Sequence, residues 1–139
     1  MGERSMTRHE LRYKAMTILY QAFLYDSNNI EYNISDIISE QLEEESKFVN
    51  NLVKGVIEHI IEIDELANRY LEDWDIVRLG FTDQAIIRMG IYEILWTDTP
   101  DVTCIDEAVE LAKEYSDEKV FKMINGVLDK VYHSKENNG

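Results

Sequence analysis

Few residues of this 139-residue chain are of the types that carry out catalysis, and they are scattered. The histidines His9, His59 and His133 lie far apart in the sequence. The only cysteine, Cys104, has no histidine close to it in the sequence that could activate it as a nucleophile. The sequence therefore nominates no nucleophile, and we expect a protein that is not an enzyme.

Metal and cofactor motifs are also missing. A helical bundle could hold two metals with a pair of Glu-x-x-His motifs, but Val56 and Lys130 stand three residues before His59 and His133. His59 and Glu62 could share a helical face, which indicates a surface ion pair more than a metal site. No phosphate-binding or dinucleotide-binding glycine motif occurs. We predict no metal and no cofactor.

One group of residues near the C-terminus could bind nucleic acid. If residues advance by about 100° around a helix, Lys119, Met123 and Lys130 fall within about 40° of one another on one rim of its buried face. An apolar side chain between two amines can pack against a base while the amines hold phosphates. The alternative is a boundary methionine flanked by lysines whose stems cover apolar surface.

A second basic group opens the chain. Thr7 and Glu10 have the spacing of a capping box that begins a helix, and Arg8 and Arg12 then lie one turn apart on one edge. Arg4 precedes the cap and belongs to a predicted flexible arm. These arginines are either a solvated helix edge or contacts to phosphates.

Composition favours helices as the elements that position these residues. One proline and six glycines leave few breakers, and the long apolar patterns have the helical period. We predict an all-α bundle that forms one domain over residues 1–139, with a flexible arm at 1–7 and a flexible tail at 134–139. The first predicted helix ends at Asp26–Asn29, and a short one follows at Ile34–Leu42. A long helix capped by Ser46 bends near Glu62 and continues to Leu71. The last three are one at 83–96 capped by Thr82 and two within Cys104–His133, the second of which is capped by Ser116.

Three glycines lie inside these helices. Glycine in mid-helix costs roughly 1 kcal/mol relative to alanine, so each needs a reason. Gly55 and Gly90 suggest close contacts between helices. For Gly126, both close helix packing and close approach of a ligand remain open.

The net charge of −14 is distributed unevenly. Residues 1–14 have a net charge of +2, residues 15–110 combine five basic with 21 acidic residues, and residues 111–139 have five of each. A local basic site can attract RNA on an acidic protein because salt screens distant charge within about 8 Å. We therefore expect weak RNA binding by the chain alone.

The cellular location is predicted from absences. A lone cysteine forms no internal disulfide, which fits a reducing compartment. The N-terminus has no apolar signal segment, and no stretch approaches the roughly 18 apolar residues of a membrane span. We expect a soluble cytoplasmic protein without membrane contact.

Four segments in order resemble the NusB family of bacterial transcription antitermination factors. They are the DEAVELAK run at 106–113 with the NGVLDK run at 125–130, the IIRMGIYEIL segment at 86–95, Trp74 with Arg78 and Leu79, and the LYQ triplet at 19–21 that ends the opening helix pattern. The spacing and the chain length match as well, so the resemblance covers nearly the whole chain. It implies a NusB-like bundle of about six to seven helices.

The resemblance also implies a function and a site. Family members bind boxA-type nascent ribosomal RNA together with the ribosomal protein NusE, so that RNA polymerase passes terminators, and some form homodimers that cover the arginine-rich surface. His9 and Glu10 stand where family members often carry further arginines, and Met123 stands where an aromatic residue contacts RNA. The implied RNA-binding residues are Arg4, Arg8, Arg12, Lys119, Lys122, Met123 and Asn125.

The acidic middle of the chain suits a basic protein partner. Complementary charge steers association and would reduce the repulsion felt by RNA. The predicted partner-binding residues are Tyr20, Glu72, Asp73, Asp75 and Asp83. Two alternatives remain: a protein-interaction module or homodimer without RNA binding, and a NusB-like domain beside an RNA cytosine methyltransferase, which is disfavoured because the chain ends at Gly139 without a second domain.

Overall fold

The computed structural model describes the backbone of residues 5–138 and the side chains of residues 5–135. Within that range the chain forms seven α-helices, one short 3-10 helix and no strand, which confirms the all-α prediction. The helices are α1 (Arg8–Ser27), α2 (Ile34–Gln41), α3 (Lys47–Glu58), α4 (Ile60–Tyr70), the 3-10 helix (Ile76–Arg78), α5 (Phe81–Trp96), α6 (Asp101–Tyr115) and α7 (Glu118–Asn138).

Helix α5 lies at the centre of the bundle. Every residue from Gln84 to Ile91 is buried, so this helix has no solvated stripe over two turns. It packs against α1, α3, α4, α6 and α7. Two polar links cross the core from it: Arg88 donates to both carboxylate oxygens of Asp64 on α4 at 2.8 Å, and Glu93 binds a side chain of α1 described below.

Helix starts agree with the sequence in two cases and differ in two. The capping box of Thr7 and Glu10 is formed, and the Ser46 hydroxyl accepts from the Val49 amide at 3.1 Å. Helix α5 instead begins at Phe81 after Gly80, so the predicted cap at Thr82 is wrong. The sequence offered no side-chain signal for a helix that starts after glycine.

The start of α7 and the break between α3 and α4 also differ from prediction. Asp117, not Ser116, caps α7 by accepting from the Val120 amide at 2.9 Å. Ser116 ends α6, and its hydroxyl donates to Asp83 instead. The break in the long helix falls at His59 rather than near Glu62.

The glycines divide into two kinds. A Cβ on Gly90 would come within 2.8 Å of the buried Leu128 side chain, and one on Gly55 would overlap the Tyr92 ring, so close helix contact is confirmed at both. A Cβ on Gly126 would meet nothing within 4 Å. Close helix packing is therefore not the reason for Gly126.

The predicted N-terminal arm and C-terminal tail differ in how far the structure describes them. Arg4 and most of the predicted arm lie outside the described residues. The predicted tail at 134–139 is helical as far as Asn138, and Lys135 donates to the Ile94 carbonyl at 2.8 Å, which joins α7 to α5. No helix in the described part of the chain is long and apolar enough to cross a membrane.

A matched pair of substitutions tests the glycine assignments. Gly126→Ala should raise the free energy of unfolding by up to about 1 kcal/mol, because it removes a helix-interior glycine without a clash. Gly90→Ala should lower it by about 1–3 kcal/mol, because the added methyl group overpacks the core against Leu128. Urea denaturation followed by circular dichroism measures both, and a destabilised Gly126→Ala would contradict the open space at that position.

Candidate nucleic-acid interface

The N-terminal half of α7 presents side chains on both sides of its buried face. The residues Ile124, Val127, Leu128 and Val131 are buried and hold the helix against α4, α5 and α6. Met123 and Phe121 are partly exposed, and successive residues two apart on a helix point about 200° apart. They therefore face two different grooves.

The first groove, the Trp74 groove, lies between α7 and the segment that follows α4. It has a volume of about 490 Å³, and its lining includes Tyr70, Trp74, Leu79, Lys119, Met123 and Lys130. The predicted rim of Lys119, Met123 and Lys130 is therefore found together in one groove. Lys130 reaches Glu72 at 3.4 Å, and both side chains are exposed.

The second groove, the Phe121 groove, lies between α6 and α7. Lys113, Phe121, Lys122 and Asn125 line it together with acidic residues of α6. The Lys113 amine lies 5.8 Å from the Phe121 ring centre. Lys122 and Asn125 thus line a different groove from Lys119 and Met123, and the predicted single surface is divided between two grooves.

The two arginines of α1 have different surroundings. Arg8 is exposed, and its guanidinium carbon lies 4.2 Å above the Phe48 ring. Arg12 is 4% exposed, and its guanidinium donates to both carboxylate oxygens of Glu93 at 2.8 Å. The prediction that Arg12 shares an exposed edge with Arg8 is wrong, because its binding atoms are occupied within the core.

The charge on Arg12 is retained inside the bundle. Burial lowers the pKa of Arg12, but the hydrogen bonds to Glu93 and the charge of that carboxylate outweigh it, so the pKa is raised. Removing one partner of such a pair strands a buried charge and typically costs about 3–5 kcal/mol. Arg12 therefore positions α1 on α5 and does not offer a free guanidinium to phosphate.

His9 joins α1 to α6. Its Nδ1 lies 2.9 Å from a carboxylate oxygen of Glu107, and its Nε2 lies 2.8 Å from one of Glu114. The hydrogen bond to Glu107 raises the pKa of His9, burial lowers it, and Glu114 raises it further, so that the pKa lies above its usual value. The position where the family often carries arginine is here a contact between helices.

The predicted partner-binding residues fall in four places. Tyr20 is 41% exposed, and its ring packs edge-on against Phe81 at 5.8 Å, beside an apolar cleft that includes Phe23, Ile57 and Val77. Glu72 lines the Trp74 groove instead.

The remaining three acids differ in their exposure and bonding. Asp73 and Asp75 are exposed in the turn after α4, where Asp75 caps the 3-10 helix by accepting from the Val77 amide. Asp83 is partly buried and accepts from Ser116. Of these three acids, Asp73 and Asp75 are thus accessible to a partner, whereas Asp83 is engaged by Ser116.

The residues considered for catalysis are separated or engaged. Burial raises the pKa of the Cys104 thiol to about 12, so the nucleophilic thiolate is scarce at neutral pH. The His59 ring stacks on Trp96 at a centroid distance of 4.2 Å, and its Nδ1 is 3.5 Å from Glu62 without a hydrogen bond. No group of three or more potential metal ligands occurs among the described residues.

The sequence did not indicate that two aromatic residues, Trp74 and Phe121, line the grooves beside α7. Trp74 belongs to no helical apolar pattern, and that absence was a usable sign that its ring is exposed. Phe121 lies about 200° from Met123 around α7, which was sufficient to place it on the opposite side of the helix. The angle of Met123 alone could not show that Trp74 faces it.

The contact of His9 should make stability depend on pH. Because the folded-state pKa is raised, the stabilisation by His9 should be fully present below about pH 6.5 and should be lost as pH rises through the folded-state pKa. The difference in unfolding free energy between the wild type and His9→Gln should therefore be larger at pH 5.5 than at pH 8.5. NMR titration of His9 provides the direct check, and equal differences at both pH values would contradict the ion pairs.

Comparisons with known proteins agree with this architecture. The family model described as the NusB family matches residues 9–133. The transcription antitermination protein NusB of Campylobacter jejuni (strain RM1221) is 39% identical over 132 residues, covering 94% of this chain and 98% of that protein. The T. maritima NusB structure has a TM-score of 0.82 at 31% identity, with coverage of 94% and 93%.

A second solved structure is similar at lower identity. It is a crystal structure of antitermination factors NusB and NusE in complex with dsRNA, with a TM-score of 0.75, 27% identity, and coverage of 93% of this chain and 99% of that chain. The family match spans most of this chain, and the helix order and the relatives agree with it. The chain therefore belongs to the NusB family of transcription antitermination proteins.

Proposed function

We propose that this protein is a non-catalytic RNA-binding adaptor, which binds boxA-type nascent RNA together with ribosomal protein NusE so that RNA polymerase passes terminators. The observation that carries the proposal is that the N-terminal half of α7 presents lysines in both grooves. Lys119 and Met123 line the Trp74 groove, and Lys122 and Asn125 line the Phe121 groove. The similar structure in which NusB and NusE are bound to dsRNA supports the same assignment.

The RNA surface consists of α7 and Arg8. Lys122 pairs with Glu118 at 3.2 Å, but both side chains are more than two thirds exposed, so the pair contributes little and a phosphate can replace Glu118. Arg8 rests on an aromatic ring that orders its guanidinium without neutralising it. Arg12 acts indirectly, since its pair with Glu93 orients the helix that carries Arg8.

The protein partner docks on the apolar cleft beside Tyr20 and Phe81. Val77 at the rim of this cleft is 64% exposed, and exposed apolar patches of this kind mark protein interaction sites. The accessible carboxylates Asp73 and Asp75 lie in the turn that leads to Val77. A basic protein such as NusE therefore meets an apolar contact with acidic neighbours.

The same short segment separates the partner cleft from the Trp74 groove. Val77 and Phe81 line the cleft, whereas Trp74 and Leu79 line the groove. A partner docked at Val77 therefore lies beside RNA bound in the groove. This arrangement supports joint binding without a change in the fold.

The two arginines should respond differently to substitution. Arg8→Ala should weaken RNA binding and reduce the slope of log affinity against log salt by about 0.7, because one phosphate contact is lost. The double replacement Arg12→Met with Glu93→Gln removes the buried pair together and should leave that slope unchanged. Fluorescence anisotropy with a boxA-like RNA over a salt series measures both slopes. A shallower slope only for the double replacement would show that Arg12, and not Arg8, contacts phosphate.

RNA and NusE should bind with positive coupling. A basic partner relieves the repulsion between RNA and a chain of charge −14, and it adds contacts of its own. A coupling of about 1–3 kcal/mol should appear equally in both directions and should shrink as salt rises. Calorimetry at two salt concentrations tests this. An RNA affinity that is unchanged by NusE and by substitution of Arg8 and Lys122 would instead indicate a protein-interaction module without specific RNA binding.

A further inference from the structure

We propose that Trp74 stacks on an unpaired RNA base in the Trp74 groove and so supplies the aromatic ring that this chain lacks at Met123. The inference rests on the proposed function, because it assigns a base-binding residue to the same RNA surface. It identifies the occupant of the groove as one unstacked base of single-stranded RNA.

The first observation is the exposure of Trp74. Half of this residue is accessible to solvent, although tryptophan usually buries its large apolar surface. It lies in the turn between α4 and the 3-10 helix, and its side chain lines the same groove as Met123. An indole on one wall and a thioether on the other offer apolar contact to a flat ring.

The second observation is the space over Gly126. This glycine lies in the interior of α7 and lines the Trp74 groove, yet a Cβ there would meet no atom within 4 Å. Helix packing does not require this glycine, and the open space above it is accessible to a ligand in the groove. The glycine keeps the groove open beside Met123, where a base would enter.

The third observation is the arrangement of charge at the groove. Lys119 and Lys130 supply amines to phosphates on either side of a bound base, while Glu72 and Asp117 also line the groove. The opposing charges nearly cancel, which suits a neutral base inside the groove with phosphates held at its lysines. The contact between Lys130 and Glu72 is exposed and 3.4 Å long, so a phosphate can displace it at little cost.

The Phe121 groove is a poorer site for a base. The amine of Lys113 already lies over the Phe121 ring, and two acidic residues of α6, Asp106 and Glu110, border that groove. Phe121 is also packed against the core. The geometry therefore favours Trp74 as the stacking residue.

Fluorescence of Trp74 tests the inference directly. In a Trp96→Phe background Trp74 is the only tryptophan, and saturating single-stranded boxA-like RNA should quench its emission through stacking. In the wild-type background, Trp74→Ala should weaken RNA binding by about 5- to 150-fold, since stacking on an aromatic residue is worth roughly 1–3 kcal/mol per base. Trp74→Phe should retain most of the affinity.

Three further variants provide a control and test the alternative groove. Tyr115→Leu removes an exposed ring outside both grooves and should change affinity less than twofold. Gly126→Ala should weaken RNA binding while raising the melting temperature, a combination that general loss of structure cannot produce. A loss of affinity for Phe121→Leu but not for Trp74→Ala would place the base in the other groove and overturn the inference.

The outcomes separate this inference from the proposed function. If wild-type protein fails to bind RNA with or without NusE, the proposed function fails. If binding depends on Arg8 and Lys122, but Trp74→Ala is neutral and Trp74 emission is unchanged by RNA, only the inference fails. Quenching of Trp74 by NusE alone, without quenching by RNA, would show that the groove binds protein and would equally overturn it.

Discussion

The buried pair of Arg12 and Glu93 is the constraint on which the arrangement of the functional surfaces depends. A guanidinium in the core must keep its carboxylate, so α1 can pack on α5 only where Arg12 and Glu93 meet. A second link, from the buried Arg88 to the partly exposed Asp64, fixes α4 against the middle of the same central helix. Hydrophobic packing alone would tolerate small rotations of these helices, whereas the two bidentate pairs do not.

The orientation of α1 determines what each of its faces does. With Arg12 turned inward, Arg8 remains outside on Phe48, His9 reaches two carboxylates of α6, and Tyr20 lies beside Phe81. One helix therefore contributes to the proposed RNA surface, to the core and to the proposed partner cleft. Each contribution follows from the same rotation about the helix axis.

The internal ion pairs also explain how an acidic chain can present a surface to RNA. Glu93, Asp64, Glu107 and Glu114 are bonded to cationic or titratable side chains of other helices. Part of the negative charge therefore takes part in ion pairs between helices, which reduces its repulsion of RNA. At the proposed RNA surface the local charges are those of the α7 lysines and Arg8, which act within the short range that salt leaves unscreened.

Helical periodicity, caps and the order of the family segments were sufficient to determine the all-α fold, the capping box at Thr7, and the amphipathic face of α7 with Lys119, Met123 and Lys130 on one rim. These are local properties, set by residues within a few turns of one another. The tertiary structure decided that Arg12 is buried, that Lys122 and Asn125 line a different groove from Met123, and that Trp74 lines the same groove as Met123. Each of these depends on a partner that is distant in sequence; Glu93, for example, is 81 residues from Arg12. The spacing of residues along one helix contains no information about which neighbouring helix packs against it.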